Sequence, residues 1–183
     1  MVKIDLENCY EIELLSENFG FSKFDTITTD NKIVSLGIKI SDTSHDLLPD
    51  VYNLAFGKIE DGSIDDNIRL KHKDISKTFS TIVFTAYSFL TLEENENKYL
   101  GVDGSNLTRA LMYYRCIQNN FDYLNQFFII SGVNYYVRIL RPDQNNGNYV
   151  PDPNDWVALP NEIKKGEHLP IDKLYNYFIF TKR

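Results

Sequence analysis

Ile33-Val34-Ser35-Leu36-Gly37-Ile38-Lys39-Ile40 alternates in character along its length, so an extended chain puts Val34, Leu36, Ile38 and Ile40 on one face. Successive strand residues point to opposite sides, and the pattern predicts a half-buried strand. Residues 21–29 before it are rich in aromatic and β-branched side chains, which suit a pleated surface. Asp30-Asn31 between them are residue types that tolerate positive φ, so 21–29 and 33–40 are expected to form a hairpin. Downstream, a polar loop with Pro49 leads to a third strand over 51–59. Glu60-Asp61-Gly62 then turns the chain into a fourth over 63–71.

The period changes after Asp74, which reads as an N-cap. Ile75, Phe79, Ile82, Val83, Ala86 and Leu90 recur at helical spacing and predict a helix from 75 to about 92 with one buried stripe. Glu93-Glu94-Asn95-Glu96-Asn97 is expected as a solvated loop, 98–102 as a short strand, and Asp103-Gly104 as a turn. Ser105 reads as the cap of a second helix ending near Leu124, with Leu107, Ala110, Leu111, Tyr114, Ile117, Phe121 and Leu124 buried. Strands are expected over 127–131, 135–140 and 175–181. The span 142–170 holds five of the six prolines and reads as one long loop anchored by Trp156. The first 20 residues, rich in Asp and Glu, show no clean period. The order strands, helix, strand, helix, strands predicts an α+β fold: a mostly antiparallel sheet with two helices packed on one face, as a single domain over 1–183.

A hydrophobic share of 43% and an aromatic share of 14% supply a core and exclude a disordered chain. The formal charge of -7 argues against general nucleic-acid coating, because phosphate neutralisation dominates that kind of binding. With neither an export signal nor an apolar run of membrane-spanning length, a cytoplasmic protein without membrane association is expected. Cys9 and Cys116 are too few for a disulfide framework and are expected to be reduced.

Tyr52-Asn53-Leu54-Ala55-Phe56-Gly57, Ile64-Asp65-Asp66, Asp74 with Lys77, and Gly104-Ser105 with Arg109 and Tyr113 resemble a family of small bacterial proteins known as a domain of unknown function. In that family a Gly-Ser-Thr turn is followed by Arg, by a second Arg two residues on, and by Tyr two further on. Here Asn106 stands at the Thr and Leu111 at the second Arg. Arg115 lies about one helical turn beyond Leu111 and is not its equivalent. The match runs over about 51–131, with an echo at 175–182. It implies a bacterial cytoplasmic protein of this topology and no established activity.

Gly104-Ser105-Asn106 with Arg109 and Tyr113 is the set with the clearest chemistry. A helix N-terminus combines unpaired N–H groups with the positive end of the helix dipole, and both attract anions. Ser105 or Asn106 adds a side-chain donor, Gly104 lets backbone approach closely, and Arg109 can fork to a phosphate or carboxylate. Tyr113, one turn on, can stack on a base. A plain cap at Ser105 and a surface ion pair at Arg109 account for the same residues without a ligand.

Two weaker sets are Asp65-Asp66 with Asp61, and the strand-spaced cations Arg69, Lys71 and Lys73 beside His72. Adjacent strand residues face opposite ways, so Asp65 and Asp66 do not converge on one metal. The three cations suit an edge strand that resists aggregation as well as they suit phosphates. His45, His72 and His168 are scattered, Cys116 reads as inert, and no spacing demands a metal or cofactor. The expectation is a binding or interaction module for an anionic ligand or partner protein. The alternatives are an enzyme acting on a phosphate-containing substrate such as RNA or a nucleotide, and a structural homo-oligomer subunit.

Overall fold

A computed structural model describes residues 1–60, 62–65, 70–137, 140–142, 149–151 and 156–183. It is a mixed α/β protein built on a nine-stranded, mostly antiparallel sheet. The chain forms β1 (Glu13–Leu14), β2 (Phe21–Ile27), β3 (Ile33–His45), β4 (Leu48–Glu60) and β5 (Ser63–Asp65), then α1 (Ile75–Thr91). There follow β6 (Tyr99–Asp103), α2 (Leu107–Asn119), α3 (Phe121–Leu124), β7 (Phe128–Val137), β8 (Leu140–Pro142), β9 (Tyr149–Pro151), β10 (Trp156–Glu162) and β11 (Tyr177–Lys182). The main sheet runs β1-β2-β3-β4-β6-β11-β7-β10, with β5 on β4, while β8 and β9 pair separately. No helix among the described residues is long and apolar enough to cross a membrane.

The expected first hairpin forms, with Phe24 opposite Leu36 and Asn31 at φ 61° in the turn. The polar stretch after residue 40, expected as a loop, is strand instead: β3 runs on to His45 and β4 begins at Leu48. Pairing with a neighbouring strand satisfies its backbone whatever its side chains, and the register shifts between Ile40 and Ser44 absorb the irregularity. The strands expected at 127–131 and 135–140 are joined in β7, on whose edge β10 lies from Trp156 opposite Val137 to Glu162 opposite Ser131. Much of the expected long loop is thus sheet, and Trp156 is 43% exposed rather than an anchor.

One pairing in the main sheet is parallel. Val51, Tyr52 and Asn53 of β4 lie opposite Tyr99, Leu100 and Gly101 of β6, with α1 in the crossover between them. Lys58 pairs with both Leu36 of β3 and Asp65 of β5, so β5 occupies the same edge of β4 as β6, further along. Among the described residues, neither β6 nor β5 pairs with residues 54–57.

Ile82, Ala86, Phe89 and Leu90 of α1 share one hydrophobic cluster with Ala110, Tyr114 and Ile117 of α2, Ile38 of β3 and Phe178 of β11. Tyr177 and Ile179, which alternate with Phe178, belong to a smaller cluster with Leu48, Val51 and Val133. Asp74 caps α1 as expected, its carboxylate accepting from Lys77 N at 2.9 Å. The buried face of α1 differs from the apolar stripe. Ile75 is 38% exposed and Phe79 and Val83 are only partly covered, whereas Thr78, Ser80, Thr81 and Thr85 are buried. The second helix also ends sooner than expected, breaking at Asn120 before α3.

The aperiodic N-terminus explains both departures. Its backbone crosses the helices as an arm: Lys3 N donates to Ser76 Oγ, Asp5 N to Ser80 Oγ and Tyr10 N to Thr81 Oγ1, all within 3.0 Å. Asn120 accepts from Ile4 N at 2.8 Å and donates to Val2 O and Cys116 O. Extended backbone that leaves water needs partners, and hydroxyls and an amide supply them where apolar side chains cannot. Asn95, expected in a solvated loop, is likewise 1% exposed and donates to Phe89 O at the end of α1. Asn120→Ala strands several of these groups and is expected to cost about 1–3 kcal/mol in urea denaturation. Faster proteolysis within the first ten residues should accompany it.

Candidate functional site

A cleft of about 440 Å³ opens beside β4. One wall is β4 from Asn53 to Lys58, and the other comes from the carboxyl end of β6 at Val102 and Asp103. The first turns of both long helices close it, α1 through Ile75, Thr78 and Phe79 and α2 through Asn106, Thr108, Arg109, Met112 and Tyr113. A volume of this size suits a small-molecule ligand.

Asn106, Arg109 and Tyr113 of the expected anion set line the cleft together. Gly104 does not line it: it is buried, donates its N–H to Asn176 O at 2.8 Å, and lies so close to α2 that an added Cβ would meet Ala110 Cα at 2.9 Å. Its lack of a side chain serves helix packing rather than access to a ligand. Ser105 is not the cap either. Asn106 Oδ1 accepts from Arg109 N at 3.0 Å, while Ser105 Oγ accepts from Arg109 Nη1 at 3.0 Å. Leu111 packs against the large hydrophobic cluster.

The two helix ends differ electrically. Asp74 places a carboxylate at the start of α1, whereas α2 is capped by the neutral Asn106. An anion is repelled at the first and attracted at the second. Lys58, on the opposite wall, pairs with Glu60 at the rim. The floor between these polar groups is aromatic. Phe56 lies edge-on to Phe79 at 6.1 Å between ring centres and tilted against Tyr113 at 6.3 Å.

The spacing arguments missed Lys58, His72, Phe56 and Phe79. Nothing local marks them, because they reach the cleft from β4, from α1 and from the chain before it. The segment 52–57 and the segment 104–113, which carried the family resemblance, do meet there. His72 is half-buried, its Nδ1 3.3 Å from Thr26 Oγ1, which lies 3.4 Å from Thr78 Oγ1. Burial lowers its pKa from the ordinary 6.5. His45 is elsewhere, with Nε2 3.2 Å from the Tyr135 hydroxyl, and His168 is exposed. Burial pushes the Cys116 thiol up to about 11, which leaves it inert as expected. Of the other candidate groups, Asp61, Asp66 and Arg69 lie outside the described residues. Asp65 stands opposite Lys58, and Lys73 Nζ donates to Asn31 Oδ1 at 3.3 Å. Among the described residues no group of three or more His, Cys, Asp or Glu side chains is placed to hold a metal ion.

Comparison with protein-family models matches residues 7–150 to a family of unknown function, DUF6934. No curated protein and no solved structure matches the chain.

Because folding favours neutral His72, its contribution to stability is fully present above pH 6.5 and is lost as the pH falls through the lowered folded value. Thermal melts from pH 8 down to pH 5 are expected to show a smaller acid loss in His72→Gln than in the parent protein.

Proposed function

Since the chain belongs to DUF6934, a family of unknown function, its chemistry has to be argued from its own side chains, and we propose that it is a binding module for an anionic ligand. The observation that carries this is the convergence of the neutral-capped start of α2, Arg109, Asn106 and Lys58 on one cleft. On an acidic body, a crevice that offers Arg109 and the start of α2 favours a compact anion over a long polyanion, which the net charge of -7 repels. The same reading takes residues 1–183 as one domain with both long helices on one face of the sheet. The cluster shared by α1 and α2 and the N-terminal arm bonded across them support it.

The test is thermal stabilisation by inorganic phosphate at fixed ionic strength. Ligand that binds the folded state raises the melting temperature with concentration. Arg109→Ala is expected to fold and to lose most of the shift, a loss of about tenfold or more in affinity, since charge-assisted forks are the strong hydrogen bonds. An unchanged shift in that variant would overturn the reading.

One observation favours a second reading, an enzyme acting on a phosphate-containing substrate. His72, whose pKa burial lowers toward the neutral state a general base needs, lines the same cleft as Arg109. It predicts turnover of a nucleotide or RNA that His72→Gln lowers by about a hundredfold or more while ligand binding persists. Binding without turnover leaves the module and removes the enzyme.

A further inference from the structure

We infer that the ligand of this cleft is a nucleoside monophosphate, an inference that rests on the anion-binding reading above and adds what the rest of the cleft would hold. A site for inorganic phosphate alone needs only donors and charge. This one continues away from Arg109 and Asn106 over Phe56, Phe79 and Tyr113, none of them fully buried. At its rims Ile75 of α1 is 38% exposed and Met112 of α2 is 42% exposed. Two exposed apolar side chains facing one crevice from separate helices form a slot for a flat apolar body.

The polar groups are distributed to match such a ligand. Arg109 and the start of α2 stand at one place, where a phosphate has charge and N–H donors to meet. Thr108 adds a hydroxyl that can donate and accept, of the kind that reads the edge of a base or a ribose hydroxyl. An aliphatic acid would leave the aromatic floor unused. The volume of about 440 Å³ is small enough to select a mononucleotide over a dinucleotide or a folded RNA. The acidic surface outside, with a net charge of -7, disfavours the flanking phosphates of a longer strand.

Isothermal titration of the full chain with inorganic phosphate, adenosine, AMP and a 5′-phosphorylated oligonucleotide tests this. AMP is expected to bind about tenfold or more tighter than phosphate, because stacking of a base on aromatic side chains adds affinity to charge. Phe79→Leu, which keeps an apolar side chain, should reduce that advantage while leaving phosphate binding unchanged, and Arg109→Ala should weaken both. Equal binding of phosphate and AMP, or an advantage untouched by Phe79→Leu, overturns the nucleotide inference and leaves the anion reading standing. Tighter binding of the oligonucleotide than of AMP overturns the inference in favour of a nucleic-acid end. Binding of adenosine as tight as AMP, with phosphate inert, overturns both.

Discussion

The joint between β4 and β6 is the constraint on which the rest of the structure depends. On one side of it β1 to β5 form an antiparallel set, and on the other β6, β11, β7 and β10 form another. Three residue pairs in parallel register connect them. A parallel pair cannot be closed by a tight turn, so the chain must leave the sheet and return, and α1 is the crossover. Residues 53–58 of β4 border a cleft, and both α1 and α2 begin beside it.

Charge is organised on the same frame. The protein as a whole is acidic, with 26 acidic against 19 basic side chains, and the cleft brings Arg109, Asp103 and the Glu60-paired Lys58 beside the neutral cap of α2. A carboxylate cap like that of Asp74 would have cancelled much of the field at α2. Both helix ends are closed by a side-chain cap, Asp74 accepting from Lys77 N and Asn106 from Arg109 N, and they differ in that the second cap carries no charge.

The N-terminal arm shows the opposite use of polar groups. Ser76, Ser80, Thr81, Tyr123 and Asn120 receive backbone N–H groups of residues 3 to 10. The hydroxyls that make α1 look like a poor core helix are what allow an extended segment to be buried against it. Thr78, Thr81 and Thr85 also donate to carbonyls one turn back, so each remains satisfied inside the protein. The arm and the helices are therefore one polar lattice over an apolar layer.

What the sequence determined by itself is what short-range physics controls. The alternation of 33–40, the turn at Asn31, the cap at Asp74 and the extent of α1 follow from side-chain period, positive φ and local capping. Arg109 and Tyr113 on one face of α2 were legible for the same reason, being one helical turn apart. Tertiary structure decided the rest. Polar residues 41–45 became strand because β4 supplied hydrogen-bond partners, and β10 emerged from a proline-rich span because β7 offered an edge. The cap of α2 is Asn106 rather than Ser105, and Gly104 packs closely against Ala110. Phe56, Lys58, His72 and Phe79 share a cleft with Arg109 because a parallel joint brings distant segments together, and no periodicity along a chain encodes a meeting of that kind.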